Sequence, residues 1–213
     1  MGDLTVTVFT SLDGVMQGPG APEEDRSGGF AHGGWLAPHV DEAFGRTMAA
    51  IFTRPDAFLL GRGTYEIFAG WWPKVTDPKD PIAGPLNALP KYVASRTLQK
   101  ADWNATTLVR DVPAAVKDLK ARYPREIQVH GSPGLLQTLF AEDLVDELRL
   151  LQFPVVLGTG KRLFGGGAAP RGHALASTMT TSKGVVVSTY RRVGPLAVGS
   201  MLGGAGAHRA RSR

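Results

Sequence analysis

The chain has 213 residues, long enough for one large domain or two small ones with a sizeable core, and it carries a formal net charge of +5. Its 43% hydrophobic and 20% charged content is that of a globular protein. The absence of cysteine excludes a disulfide framework and thiolate chemistry, and no run approaches the ~18 apolar residues of a membrane helix.

The charge is uneven along the chain. Residues 191–213 hold Arg191, Arg192, Arg209, Arg211 and Arg213 and no acid, which leaves 19 basic and 19 acidic residues elsewhere. The body therefore lacks the overall basic excess that marks a nucleic-acid surface. No basic segment followed by an apolar run opens the chain, so a signal peptide is not expected. These readings predict a cytoplasmic protein with neither nucleic acid nor a membrane as partner.

Thr5–Thr10 is β-branched and aromatic, and reads as the first strand. Ser11-Leu12-Asp13-Gly14 is a turn. Residues 17–34 are rich in Gly, Pro and acids, which predicts a mobile surface loop with a functional role. Apolar residues at Val40, Ala43, Phe44, Met48, Ile51 and Phe52 place an amphipathic helix over 39–53. Asp56–Leu60 is the second strand, and Thr64 opens the next helix. Residues 70–90 carry five prolines and read as irregular.

Short strands follow at 91–94 and 106–109, then a helix from Asp111 and Pro113 to about Arg122. Ile127–His130 is a strand, broken by Gly131-Ser132-Pro133-Gly134 before a helix over about 135–142. Glu147–Phe153 is an apolar strand, 155–157 leads into a Gly-Lys-Arg segment, and 175–181 with 184–192 form a closing hairpin. Alternating strands and helices predict an α/β protein with a mainly parallel sheet and an antiparallel C-terminal edge. The domain is expected over 1–193. Residues 194–213 are rich in Gly and Ala and read as a flexible basic tail.

Three strand ends offer anion-binding chemistry. At Gly61-Arg62-Gly63-Thr64 a strand feeds a helix N-terminus, where unpaired N–H groups and the macrodipole favour negative charge. Alone, this motif equally describes a strand, a turn and a capped helix. Ser95-Arg96-Thr97 adds two hydroxyls and a guanidinium, and Gly131-Ser132-Pro133-Gly134 a glycine-rich turn. Ligands of open α/β sheets collect at the carboxyl ends of strands, so the three turns together suit a molecule with several phosphates. The pattern is neither G-x-G-x-x-G nor a P-loop, since Gly160-Lys161 is followed by Arg162. His32, His39, His130, His173 and His208 show no metal-ligand spacing, so no metal is expected.

In these motifs the chain resembles the dihydrofolate reductase-like family. It is most similar to the branch that includes the reductase domain of bacterial riboflavin biosynthesis, the RibD C-terminal domain. The resemblance covers about residues 4–193 and rests on Ser11–Gly14, Leu60–Tyr65, Val93–Thr97, Val129–Ser132, Asp143–Leu148 and, most specific to the branch, Pro154–Phe164. It implies that Gly61, Arg62, Gly63 and Thr64 touch the phosphates of NADPH. Ser95 and Arg96 would meet the adenosine 2′-phosphate and favour NADP over NAD. Gly131, Ser132, Gly134 and Leu135 would line the pyrophosphate and nicotinamide, and the loop from Asp13 to Gly18 would cover the ring.

For proton supply, dihydrofolate reductases carry a carboxylate at the start of the helix after this cover. By that resemblance Asp41 is the first candidate for proton supply or substrate binding, Glu42 the second and Asp13 another, with Trp35 against the substrate. Lys161 and Arg162 either bind a substrate phosphate or form a solvated basic loop. Acids in a first helical turn also simply stabilise the helix dipole, and Asp-Gly is a common turn pair. Trp71-Trp72 wall a pocket or form a buried hinge.

The reading is an NADPH-dependent reductase acting on a small pterin-like heterocycle or an aminopyrimidine- or sugar-like substrate. The zinc deaminase half that often accompanies the riboflavin-type reductase has no counterpart in these residues. The alternative is a non-catalytic NADP-binding regulatory protein. A homodimer is a further expectation, because relatives in this branch pair and the apolar strand Leu148–Val156 could serve as an edge or interface.

Overall fold

The computed structural model describes residues 1–77 and 79–201. Eight strands form one sheet: β1 (Asp3–Thr10), β2 (Pro55–Gly61), β3 (Lys91–Ala94), β4 (Thr106–Val109), β5 (Glu126–Val129), β6 (Glu147–Gln152), β7 (Arg171–Thr180) and β8 (Val186–Pro195). Their order is β4-β3-β2-β5-β1-β6-β8-β7. The pairs from β4 to β6 are parallel, and β6–β8 and β7–β8 are antiparallel. This is the mixed, mainly parallel dihydrofolate reductase-like sheet with an antiparallel edge. Five helices flank it: α1 (Glu42–Phe52), α2 (Arg62–Trp71), α3 (Ala83–Ala88), α4 (Val112–Arg122) and α5 (Pro133–Ala141).

The two-residue alternation of β1 sorts the core. Leu4, Val6 and Val8 pack on one face with Val116 and Leu119 of α4 and Leu135, Leu136 and Leu139 of α5. On the other face, Phe44, Met48, Ile51 and Phe52 of α1 pack with Tyr65 of α2 and Leu86 of α3. The 3.6-residue period of α1 is what the sequence displayed. Its start is set by Asp41, whose side chain accepts the Phe44 N–H at 2.7 Å.

One predicted element differs. Residues 70–90 contain the short helix α3. Asp80 starts it by accepting the N–H groups of Ile82 and Ala83 at 2.9 and 2.8 Å, and Pro85 falls early in the helix, where a missing N–H is tolerated. The expected apolar strand Leu148–Val156 ends at Gln152, and it is not an edge. β6 is an interior strand, hydrogen-bonded by β1 and β8, so its apolar residues fill the core rather than an edge.

β8 runs to Pro195, two residues past the expected domain end. Its arginines are matched by acids. Arg191 meets Glu147 at 3.2 Å, and Arg192 meets Asp143 and Asp146 at 2.9 and 3.1 Å. Arg209, Arg211 and Arg213, with the rest of the expected tail from residue 202, lie outside the described residues.

The amino-terminal ends of the central strands hold a buried ion cluster. Arg149 lies between Glu126 and Glu147, all three nearly solvent-free, and its Nη1 is 3.1 Å from Glu126 Oε2. Burial pushes the Glu126 carboxyl up. Hydrogen bonds from Arg149 and Gln128 and the charges of Arg149 and Arg54 outweigh it, holding its pKa below the usual range. Removing the central cation leaves two buried carboxylates uncompensated. Arg149→Met is expected to cost about 3–5 kcal/mol and to lower the thermal midpoint by at least ~6 °C. Thermal denaturation of the two proteins at neutral pH measures this.

Candidate functional site

The carboxyl ends of β1, β2, β3 and β5 open onto one cleft of about 1570 Å³. All ten residues expected to hold a dinucleotide line it: Gly61, Arg62, Gly63, Thr64, Ser95, Arg96, Gly131, Ser132, Gly134 and Leu135. Their roles differ from one another.

β2 passes into α2 without a loop, with Gly61 as N-cap. A Cβ on Gly61 would lie 2.5 Å from Cβ and Oγ of Ser132, so only glycine lets the turn before α5 sit against this junction. Ser132 Oγ then accepts the Thr64 N–H at 3.0 Å and bonds the Thr64 hydroxyl at 2.8 Å. Gly131 is left-handed, with φ of 75°, and a Cβ there would meet Thr64 Oγ1 at 3.3 Å. Thr64 and Ser132 thus tie two turns together, and their hydroxyls are engaged with each other.

The cations divide similarly. Arg62 donates through Nε to Glu66 at 2.7 Å and through Nη1 to Thr97 Oγ1 at 2.8 Å, bridging the turns after β2 and β3. Arg110, which the sequence reading passed over, donates to the carbonyls of Ser95 and Leu98. Ser95 Oγ accepts the N–H of Leu98 at 3.0 Å, which closes that turn. Lys161 pairs with Asp25 at 2.6 Å. Arg96 is exposed, lines the cleft, and makes no hydrogen bond or ion pair among the described residues. Four cations line the cleft, and the fold has engaged three of them.

Residues 17–34, expected to be mobile, are tied down. Gln17 is buried and donates to the Ser27 carbonyl at 2.9 Å. It accepts the Lys161 N–H at 3.0 Å, while its own carbonyl accepts Trp35 Nε1 at 2.8 Å. Phe30 and Trp35 are buried. Gly18, Pro19, Gly20, Ala21, Glu23, Glu24 and Asp25 line the cleft as a cover.

Several expected site residues lie elsewhere. Asp41 is outside the cleft lining. Its carboxylate caps α1 and accepts Ser182 Oγ at 2.6 Å and the Lys183 N–H at 3.1 Å, and these bonds hold its pKa down to about 2. A carboxylate so held is a poor proton donor. Asp13 is outside too, accepting Ser11 Oγ at 2.6 Å and the Leu157 and Gly158 N–H groups at 3.1 and 2.9 Å, with its pKa far below the usual range. Glu42 pairs with Arg46 on the surface of α1. Arg162 is engaged with Asp13 and the Gly158 carbonyl. Trp35 packs edge-on against Phe153. Of the substrate and proton candidates, the cleft includes Lys161 alone.

The cleft instead contains Glu24 and His130. Glu24 accepts the N–H groups of Gly20 and Ala21 on one oxygen, and burial pushes its carboxyl up despite those bonds. His130 stacks on Phe52, rings 4.8 Å apart and 14° from parallel. Its Nε2 is 3.0 Å from Gln128 Oε1. The Gln128 amide nitrogen donates to the Ile51 carbonyl and to Glu126, so Oε1 is an acceptor and His130 Nε2 carries the proton. Nδ1 is then an acceptor, with no partner among the described residues. The sequence weighed His130 only as a metal ligand; its place one residue before the left-handed Gly131 was the available signal.

A family model, the RibD C-terminal domain, matches residues 3–187. The chain belongs to this family. It is 30% identical over 190 residues to the uncharacterized protein YyaP of Bacillus subtilis (strain 168), covering 88% of this chain and 92% of that one. Among solved structures it is similar to a putative riboflavin biosynthesis protein from Shewanella sp. PV-4, with a TM-score of 0.66 and 22% identity over 91% of this chain and 99% of that one. A pyrimidine reductase-like protein from Corynebacterium diphtheriae gives a TM-score of 0.58 and 14% identity, over 90% of this chain and 92% of that one. The diaminohydroxyphosphoribosylaminopyrimidine deaminase/5-amino-6-(5-phosphoribosylamino)uracil reductase from Thermotoga maritima gives a TM-score of 0.58 and 13% identity, and 90% of this chain matches 57% of that longer one. These likenesses show a RibD C-terminal fold. Among the described residues no helix is long and apolar enough to cross a membrane, and no group of three or more His, Asp or Glu could hold a metal ion.

Burial, then the charge of Arg149, pushes the pKa of His130 down from 6.5 to about 3. The folded state therefore binds fewer protons than the unfolded chain between these values. The resulting stability is complete above pH ~6.5 and is lost as pH falls toward about 3. Urea midpoints from pH 4 to 7.5 should fall on acidification, and His130→Phe should show a shallower fall than the wild type over that window.

Proposed function

We propose that this RibD C-terminal domain protein is an NADPH-dependent reductase acting on a small heterocyclic or aminopyrimidine-like substrate. The observation that carries the reading is Arg96, an unengaged guanidinium on a cleft whose other lining cations serve the fold. A planar fork suits a phosphate monoester such as the adenosine 2′-phosphate. Gly63 and Gly134 line the cleft with nothing nearer than 3.9 Å to the place of a Cβ, which leaves the side-chain-free approach that a pyrophosphate needs. The residues present therefore fit the dinucleotide.

When bound, NADPH supplies a hydride. The chain's own residues do the rest. The turns after β2, β3 and β5 orient the ligand, and the pinned cover of residues 18–25 excludes water. Reduction of C=N or C=O also needs a proton. Burial pushes the Glu24 carboxyl up, whereas at Asp25 the bonds from Lys161 and Ser27 outweigh burial, and we assign the proton to Glu24.

The reductase names of the structural relatives support the reading. Fluorescence titration of wild type and Arg96→Ala with NADPH and NADH tests it. Wild type should prefer NADPH by at least tenfold. The variant should lose about 1.4 kcal/mol or more of NADPH affinity with NADH affinity unchanged. No binding of either cofactor would remove the reading. Binding without turnover of any acceptor would favour the regulatory alternative.

We propose also that two copies pair through β7. This outer strand has ten residues, eight of them exposed, with Leu175 and Met179 among them. A long apolar edge with unpaired backbone groups is a template for a second strand. Light scattering should report a dimer for wild type and a monomer for Leu175→Lys/Met179→Lys at the same concentration.

A further inference from the structure

The same cleft also has an apolar, mainly aromatic wall. Phe9 of β1, Phe44, Met48 and Phe52 of α1, and Phe68 and Trp71 of α2 form it. Every α1 residue that lines the cleft is apolar, so that helix offers no carboxylate to a cationic amidine edge. Of the cations that line the cleft, three already have partners: Lys161 is held by Asp25, Arg62 by Glu66 and Thr97, and Arg110 by the carbonyls of Ser95 and Leu98. Arg96 follows β3, two strands from β5 and three from β1 in the sheet, a lateral distance of about 10–15 Å.

Uncharged polar groups are present. β1 and β5 pair in parallel up to Val6 beside Val129, so the next residues, Thr7 and His130, are neighbours on the opposite face from those valines. Both line the cleft. His130 presents the acceptor Nδ1, and the Thr7 hydroxyl is buried without a hydrogen-bond partner among the described residues. A buried hydroxyl without a partner is destabilising, and a ligand carbonyl would relieve it after a χ1 rotation. Aromatic walls with one donor and one acceptor match a flat ring carrying a carbonyl beside an N–H.

We propose that the substrate is an uncharged, unphosphorylated planar heterocycle, gripped between the aromatic walls by its carbonyl and N–H edge at Thr7 and His130. The inference rests on the reductase reading. The hydride of NADPH would bond to an electrophilic carbon of that substrate, leaving NADP+. The electron pair of the broken π bond would go to the attached heteroatom, which takes the proton of Glu24, itself restored from water.

The test compares 5-amino-6-ribosylaminouracil with its 5′-phosphate as acceptors, following NADPH oxidation by the wild-type protein. The unphosphorylated compound should show the higher kcat/KM. His130→Phe, which keeps an aromatic ring against Phe52, should raise its KM about tenfold with kcat within about twofold and NADPH affinity unchanged. Equal or better use of the phosphate, no reaction with either compound in protein that binds NADPH, or an unchanged KM in a folded His130→Phe protein overturns the inference. Failure to bind NADPH at all would instead remove the reductase reading on which it stands.

Discussion

The site depends on a side chain that is absent. With hydrogen in place of a Cβ at Gly61, the turn before α5 closes onto the junction of β2 and α2, and Ser132 reaches Thr64. That contact sets where Gly131 sits, and through it where His130 and the adjoining β1 residues open into the cleft. Arg62 extends the same frame sideways to Thr97, and Arg110 fixes the turn that carries Arg96. The cleft is held by short polar struts, so one free guanidinium is presented in a defined place.

The two ends of the sheet solve different electrostatic problems. At the amino ends of the central strands, charges are buried and paired, and Arg149 is surrounded by carboxylates that also meet Arg54 and Arg191. At the carboxyl ends small hydroxylic and backbone groups line the cleft among arginines, as anion recognition by helix starts requires. The acids of the first helical region fall outside this division. Asp41 and Asp13 act as hydrogen-bond acceptors that fix α1 and the loop after β6, and this is why their carboxyls are held ionised.

Much of this was legible in the sequence, and the failures have physical causes. Glycine-basic-hydroxyl turns after apolar runs reported both the strand ends and their function, because strand, turn and helix start are each local. The period of α1 was equally plain. The chain did not show which polar groups were already engaged. Arg62 and Arg96 look alike in sequence, and the bonds of Arg62 to Glu66 and to the distant Thr97 separate them. Asp41 looked catalytic because its position matched a family pattern, whereas its partners come from the distant Ser182 and Lys183. The loop over 17–34 looked mobile from its glycines, but one buried glutamine anchors it.

The strand order has a consequence for how the chain acquires this shape. β1 precedes the other strands of the sheet, yet its neighbours are β5 and β6, whose pairings join Asp3 to Glu126 and Thr5 to Glu147. During synthesis the apolar first strand has no sheet partner until more than half of the chain has followed it. Closing so long a loop before any pairing is gained makes assembly of the central sheet a late and slow event. Until then β1 is an exposed adhesive segment, and that interval, rather than the finished fold, is where this protein is most open to aggregation.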